Sequence, residues 1–265
     1  MSLSLIVMGA SGRMGTSVTT LAREQGIPVA AMLERPDRVD VLKNIAPQNC
    51  LVGSDADQLF PQAAGAVVID FTAPEASLHT ARVAAKCGNP VVIGTTGFSA
   101  DQRAELENLA RTARLFWAPN MSVGINVLLE LLPRLTRMLG PEYDLEMVEL
   151  HHNRKKDSPS GTALRLAESL AEARDWKLEE VARCHREGII GERPKREIGI
   201  QTLRGGDVVG VHTIYFMGHG ERIEVTHQAH SRENFAQGAL RAARWLAECK
   251  PGRLYSMSDV IGAQA

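Results

Sequence analysis

Residues 149–163, ELHHNRKKDSPSGTA, concentrate side chains able to do chemistry: His151 and His152, then Arg154, Lys155 and Lys156, then Asp157 and a Ser-Gly-Thr turn. A solvated charge run accounts for the lysines but needs neither the histidines nor the turn behind them. An imidazole exchanges a proton near neutral pH, and an ammonium beside it donates one or holds a carboxylate. Lys155 is near enough in sequence to act with the histidines, while Arg154 and Lys156 are expected to face solvent. Pro159 keeps the residue before it out of helix, so Ser160, Gly161 and Thr162 open a helix whose N–H groups meet an anion. An ordinary N-cap would explain Ser160 alone, but not the whole stretch. If LEMVEL is a strand, His151 and His152 point to opposite faces, so one has chemistry to do and the other positions or binds. Adjacent strand residues do not converge on one ion and no third ligand is evident, so no metal is expected.

A second turn, GASGRMG, follows the first apolar run and places glycines at 9, 12 and 15. In a dinucleotide-binding turn the first glycine allows the bend, the second admits the pyrophosphate and the third lets helix and strand pack. Ser11 stands where the commonest G-x-G-x-x-G spacing has its middle glycine, so the motif is weak alone and gains from its position between strand and helix. About twenty residues on, Glu34 is placed to accept hydrogen bonds from the adenosine ribose, and Arg35 beside it to meet a 2′-phosphate. The sequence thus carries both the NAD-type and the NADP-type feature. GTTG at 94–97 and APNMSVG at 118–124 end later strands and should line the nicotinamide side of the same crevice.

These groups need elements to hold them. In the N-terminal half, apolar runs alternate with helical stretches at about 14–25, 74–87 and 100–112, which predicts a parallel sheet covered on both faces, a doubly wound α/β fold. From 124 to 139, Ile125, Leu128, Leu129, Leu132, Leu135 and Met138 keep helical spacing and are expected on a core face. YDLEMVELHHN, REIGIQTLR, DVVGVHTIYFM and ERIEVTHQAH then predict a mixed or antiparallel sheet, with RGGD and MGHGE short enough to be hairpin connections. The final helix, about 233–248, has no sheet of its own and is expected to pack on the first domain.

The chain has 265 residues, room for one large α/β domain or two ordinary ones, and 44% of them are hydrophobic, enough to build real cores and incompatible with disorder. Thirty Lys and Arg against 31 Asp and Glu leave no global field to suggest nucleic acid, so the cationic cluster implies a small anionic ligand. Four scattered cysteines argue against a disulfide framework or a structural zinc site and fit a reducing compartment. The apolar MSLSLIVM is too short for a signal peptide and no long apolar run follows, so a cytoplasmic protein without membrane contact is expected.

Together, GASGRMG, GTTG, APNMSVGINV and ELHHNRKKDSPSGTA closely resemble the 4-hydroxy-tetrahydrodipicolinate reductase (dihydrodipicolinate reductase) family of lysine and diaminopimelate biosynthesis. The likeness continues through RGGDVVGVHT and GERIEVTHQAHSRENFAQGALRAARWL, nearly the whole chain. It implies a Rossmann dinucleotide-binding domain over 1–122, an α+β substrate and tetramerisation domain with a mixed open sheet over 123–231, and a segment over 232–265 returning to the first. It also implies NADH or NADPH as cofactor, a dianionic cyclic substrate and a homotetramer. By resemblance His151 is the proton donor/acceptor, Lys155 a second proton donor, and His152, Ser160, Gly161 and Thr162 bind substrate. The cofactor contacts it implies are Gly9, Ala10, Ser11, Gly12, Arg13, Met14 and Gly15, then Glu34 and Arg35, then Gly94, Thr95 and Thr96, then Ala118, Pro119, Asn120 and Met121. Ser11, Pro119 and Met121 depart mildly from the common pattern. Another two-domain dehydrogenase would share the glycine turn without needing the His-Lys pattern. A nucleotide-sensing regulator would keep Gly12 and Glu34 while losing His151 or Lys155.

Overall fold

A computed structural model describes residues 3–262 of the chain, which divides into two compact units, residues 1–123 with 232–265 and residues 124–231. In the first, β1 (Leu5–Met8), β2 (Val29–Leu33), β3 (Leu51–Gly53), β4 (Val67–Asp70), β5 (Val91–Ile93) and β6 (Leu115–Trp117) form one parallel sheet. Its order is β3-β2-β1-β4-β5-β6, so the chain reverses direction across the sheet between β1 and β4, where open α/β sheets bind ligands. The helices between the strands are α1 (Arg13–Glu24), α2 (Val39–Lys43), α3 (Ala56–Leu59), α4 (Pro74–Cys87) and α5 (Ala100–Leu109). Successive residues of β1 serve opposite cores: Leu5 and Val7 pack with Val18 and Leu21 of α1, and Ile6 with Leu78 of α4 and Leu106 of α5. That two-sided burial is why these strands are apolar throughout. Helix α5 ends at Leu109, short of the expected 112, and continues only as turns.

The second unit takes α6 (Val123–Leu139) from its second residue on, followed by β7 (Asp144–His151), α7 (Gly161–Glu172), α8 (Leu178–Val181), β8 (Ala182–Arg183), β9 (Ile198–Arg204), β10 (Gly210–Gly218) and β11 (Glu221–Ala229). Its mixed sheet runs β11-β10-β7-β9-β8, with β7 parallel to β9 and antiparallel to β10. Leu145 and Met147 of β7 face Ile125 and Leu132 of α6 and Leu166 and Leu170 of α7.

Two expectations fail here. Met138 is 84% exposed, because the buried stripe of α6 runs through Ile125, Leu132 and Thr136 to Leu139 and leaves Met138 beside it. RGGD is not a hairpin: β9 and β10 lie on either side of β7, so the link crosses the end of β7. It is held there by Gly205 N–H to His151 O (3.0 Å) and His152 N–H to Val208 O (2.7 Å). MGHGE does join a hairpin, β10 to β11.

The chain returns to the first unit through α9 (Glu233–Ala247) and α10 (Met257–Ile261). Leu240 and Leu246 of α9 and Met257 of α10 share the core of α1.

Candidate active site

The glycine turn is built as its spacing requires. Gly9 has φ +59° and its carbonyl accepts from Gly12 N–H at 2.9 Å. A Cβ on Gly15 would stand 2.4 Å from Gly9 O and 2.6 Å from the Ala10 Cα, so only glycine lets α1 start this close to β1. Ala10 N–H bonds to Leu33 O at 3.1 Å, tying the turn to the end of β2. The first turn of α1 holds no acidic residue and Gly12 caps it without a side chain, leaving its positive end suited to phosphate. Arg13 is exposed and Met14 packs on the core.

Glu34 is fixed from that turn. Its Oε2 accepts from Ser11 Oγ at 2.6 Å and from Ser11 N–H at 3.1 Å, and its Oε1 accepts from Arg35 N–H at 3.1 Å. Burial pushes this carboxyl up, but those hydrogen bonds and the charge of Arg38 outweigh it and hold it below the usual range. The Arg35 side chain is 70% exposed and pairs with Asp37 at 3.4 Å. Gly9, Gly12, Glu34, Arg35, Thr72 and His79 are among the walls of a cavity of about 490 Å³.

At the ends of β5 and β6 the candidates are partly structural. A Cβ on Gly94 would fall 2.1 Å from the Phe71 ring, so Gly94 is required by packing. Thr95 is buried, its hydroxyl accepting from Ser77 Oγ at 2.7 Å, while Thr96 is exposed. Ala118 is buried, Pro119 exposed, and Asn120 Oδ1 accepts from Ser122 N–H at 2.9 Å. Met121 puts its side chain in the core, and its carbonyl lies where a Cβ on Gly238 of α9 would be. What Met121 offers this turn is backbone.

The histidine stretch is organised around a residue that the sequence reading passed over. Glu149, wholly buried, lies two positions before His151 on the same face of β7. Its Oε2 is 2.6 Å from His151 Nδ1 and 2.8 Å from Arg204 Nη1. Its Oε1 accepts from Ser160 N–H at 2.9 Å, Arg204 Nη2 at 2.9 Å and Thr202 Oγ1 at 3.3 Å. Sheet register delivers these partners: Glu149 sits between Thr202 and His212, and His151 beside Arg204. Burial would raise the Glu149 pKa, yet the bonds from Arg204, His151 and Ser160 bring it down to about 2.

His151 is itself buried, and its pKa falls below the ordinary imidazole value through burial, with Glu149 opposing and Lys155 and Arg204 adding to the fall. The His212 ring is 5.1 Å away, edge to face, and its Nε2 is 3.2 Å from Ser160 Oγ. Burial, with the charge of His151 next, lowers His212 to about 4, so it is neutral at physiological pH. His152 is half-buried, Lys155 likewise, and Arg154 and Lys156 are exposed.

Ser160 caps α7, its Oγ accepting from Ala163 N–H at 3.1 Å. A Cβ on Gly161 would meet nothing within 4 Å, so space lies open in front of this helix end. Asp157 reaches Lys155 Nζ at 2.9 Å, and that contact first, with the Gly161 amide among lesser causes, lowers its pKa. A carboxylate is thus already accepted by this lysine and this helix terminus. The larger cavity, about 780 Å³, lies elsewhere in this unit, and its Arg186 and Arg193 pair with Glu146 and with Glu197 and Asp144 respectively. His151, Lys155 and His212 are not among its walls. Among the described residues no cluster of three or more His, Cys, Asp or Glu is suited to a metal.

The candidates therefore form two sets, one in each unit. Sequence models for the N-terminus and the C-terminus of dihydrodipicolinate reductase match residues 3–121 and 124–261. The chain belongs to the dihydrodipicolinate reductase family. Among its relatives, the 4-hydroxy-tetrahydrodipicolinate reductase of Nitratidesulfovibrio vulgaris is 69% identical over 262 residues, 98% of this chain and 100% of the relative. That of Geobacter sulfurreducens is 48% identical over 262 residues, 97% of this chain and 98% of the relative. Dipicolinate-bound dihydrodipicolinate reductase from Paenisporosarcina sp. TG-14 shares the fold, with TM-score 0.77 at 23% identity over 98% of this chain and all of that one. Reductases of the dihydrodipicolinate reductase family use NADH or NADPH, which the parallel-sheet unit with its glycine turn fits.

Proposed function

We propose that the chain is a 4-hydroxy-tetrahydrodipicolinate reductase in which His151 exchanges the proton, Lys155 donates a second, and His152, Ser160, Gly161 and Thr162 hold the substrate. The reaction takes 4-hydroxy-tetrahydrodipicolinate, NAD(P)H and a proton to tetrahydrodipicolinate, NAD(P)⁺ and water, within lysine and diaminopimelate biosynthesis. When bound, the dinucleotide supplies the hydride. Loss of the hydroxyl as water needs a group that takes a ring proton and one that protonates the leaving oxygen, and the reduced ring then needs a proton on carbon. An imidazole and an ammonium in one site suit those moves.

The observation that carries this reading is the Asp157 carboxylate between Lys155 and the Gly161 amide, with the same Lys155 close enough to act on the His151 imidazole that Glu149 meets. The substrate is a dianion, and one of its carboxylates has the same chemistry as the group already accepted there. In the first unit Gly9, Ala10, Ser11, Gly12, Arg13, Met14 and Gly15 would cradle the pyrophosphate. Glu34 would accept from the adenosine ribose, with Arg35 at its 2′ side. Residues 94–96 and 118–121 would lie along the nicotinamide half.

A homotetramer in the cytoplasm belongs to the same proposal. The face of the β7–β10 sheet opposite its core carries Val148, Leu150 and Tyr215 half-exposed, which supports association through that face. Among the described residues no helix is long and apolar enough to cross a membrane. Light scattering tests the assembly. The activity is tested by following NADH or NADPH absorbance while the preceding synthase makes substrate from pyruvate and aspartate semialdehyde. Oxidation that depends on the synthase is expected, and bound but unconsumed cofactor would overturn the reading.

A further inference from the structure

Glu149 is a fully buried charge that the overall reaction does not require, and it is unusually well satisfied. Arg204 grips both its oxygens, Ser160 N–H and Thr202 Oγ1 add bonds to one, and His151 Nδ1 meets the other. Such a network would serve as a staple joining β7, β9 and the start of α7. A staple alone, however, would not need an imidazole as one of its partners.

An ionised carboxylate only accepts hydrogen bonds, so the nitrogen facing it must carry the hydrogen. His151 is then protonated at Nδ1 in both of its charge states, and the proton it exchanges sits on Nε2. Space at Nε2 is kept by the residue across from it on β10: a Cβ on Gly210 would stand 3.0 Å from Nε2. The other charged or titratable groups facing the ring are Arg204 from β9, Lys155 from the loop after β7, and His212 from β10. Arg204 and Lys155 disfavour the imidazolium and Glu149 opposes them.

We propose that Glu149, kept ionised by Arg204, is a positioning residue that locks His151 into the Nδ1–H form and directs its Nε2 to the reacting ring. This rests on the reading of His151 as the proton carrier. The imidazolium gives its Nε2 proton, becomes the neutral Nδ1–H tautomer, and regains a proton at Nε2 from solvent or from the ring. Glu149 gains and loses none.

The test compares Glu149→Gln, His151→Ala and the double variant, with NADH affinity measured by fluorescence titration as a check on the first unit. Glu149→Gln removes the charge at nearly constant shape and is expected to cut kcat about 100-fold, within the range for a positioned acid–base group. KM should move much less and NADH affinity should stay within about two-fold, since Glu149 lies in the second unit. The alkaline limb of kcat/KM should shift about one pH unit or more to lower pH, because the imidazolium loses the charge that favours it. The double variant should be no slower than His151→Ala alone.

If the losses multiply and the pH profile stays put, Glu149 is a staple and the proposal is wrong. If His151→Ala turns over within a few-fold of the parent, the reading beneath it fails instead. Should Glu149→Gln not fold, Arg204→Gln replaces it. Loss of that guanidinium raises the Glu149 pKa, so an acid limb displaced to higher pH supports the proposal and an unmoved one overturns it.

Discussion

The hydroxyl of Ser11, in the first glycine turn, donates to the Glu34 carboxylate at the end of β2 over 2.6 Å. Twenty-three residues apart in sequence, the two form one unit in which the glycine turn holds the Glu34 carboxylate in place. A 2′-phosphate would have to displace that carboxylate from Ser11, whereas a 2′-hydroxyl would find it already aimed.

Ser11→Ala is therefore expected to weaken NADH binding by about 1 kcal/mol, roughly five-fold, with NADPH affinity unchanged or improved. Titrating both dinucleotides by fluorescence measures the ratio. A ratio identical to the parent's would mean Ser11 does not govern Glu34 in the complex.

Arg35 lies at the same end of β2 with its guanidinium exposed and paired to Asp37, a contact worth little in solvent. It is thus available to a 2′-phosphate. Arg35→Ala should weaken NADPH several-fold more than NADH in the same titration, and equal losses would place Arg35 outside the cofactor site.

Lys155→Ala removes the ammonium that meets Asp157 in the second unit. Turnover should fall about 100-fold or more while NADH affinity stays near that of the parent. Comparable losses in both would contradict the assignment of Lys155 to substrate chemistry.

Gly15→Ala and Gly94→Ala probe packing rather than chemistry. The added methyl meets fixed backbone in the first case and the Phe71 ring in the second. Each should lower stability by about 1–3 kcal/mol, with Gly15 the worse because backbone cannot rotate away. Thermal and urea midpoints report the loss.

Acid should destabilise the second unit in two stages. His212 has a folded pKa of about 4 against 6.5, so between those values the unfolded chain binds a proton the folded one refuses, and stability falls as pH drops. Glu149 has a folded pKa of about 2 against 4.5, so the stability it contributes is complete above 4.5 and is lost toward pH 2. Urea midpoints from pH 7 to 4 should decline, and His212→Asn should flatten that decline.

From the sequence alone came the parallel sheet, the glycine turn after its first strand and the helix that opens behind the histidine–lysine stretch. Those features rest on local rules: apolar runs of strand length, glycines at a strand-to-helix turn, and a proline and serine that open a helix. Strand alternation puts Glu149 on the face of Leu145, Met147 and His151, and Glu146 on the other, where it pairs with Arg186 and Arg193; alternation does not supply the partners that let a carboxylate stay ionised on the buried face. Those partners come from distant strands. Thr202, Arg204 and His212 reach Glu149 because β9 and β10 flank β7 in a particular register, and RGGD crosses the end of β7 for the same reason. Which strands become neighbours depends on how distant segments jointly bury their apolar faces, and that pairing places the buried charges around His151.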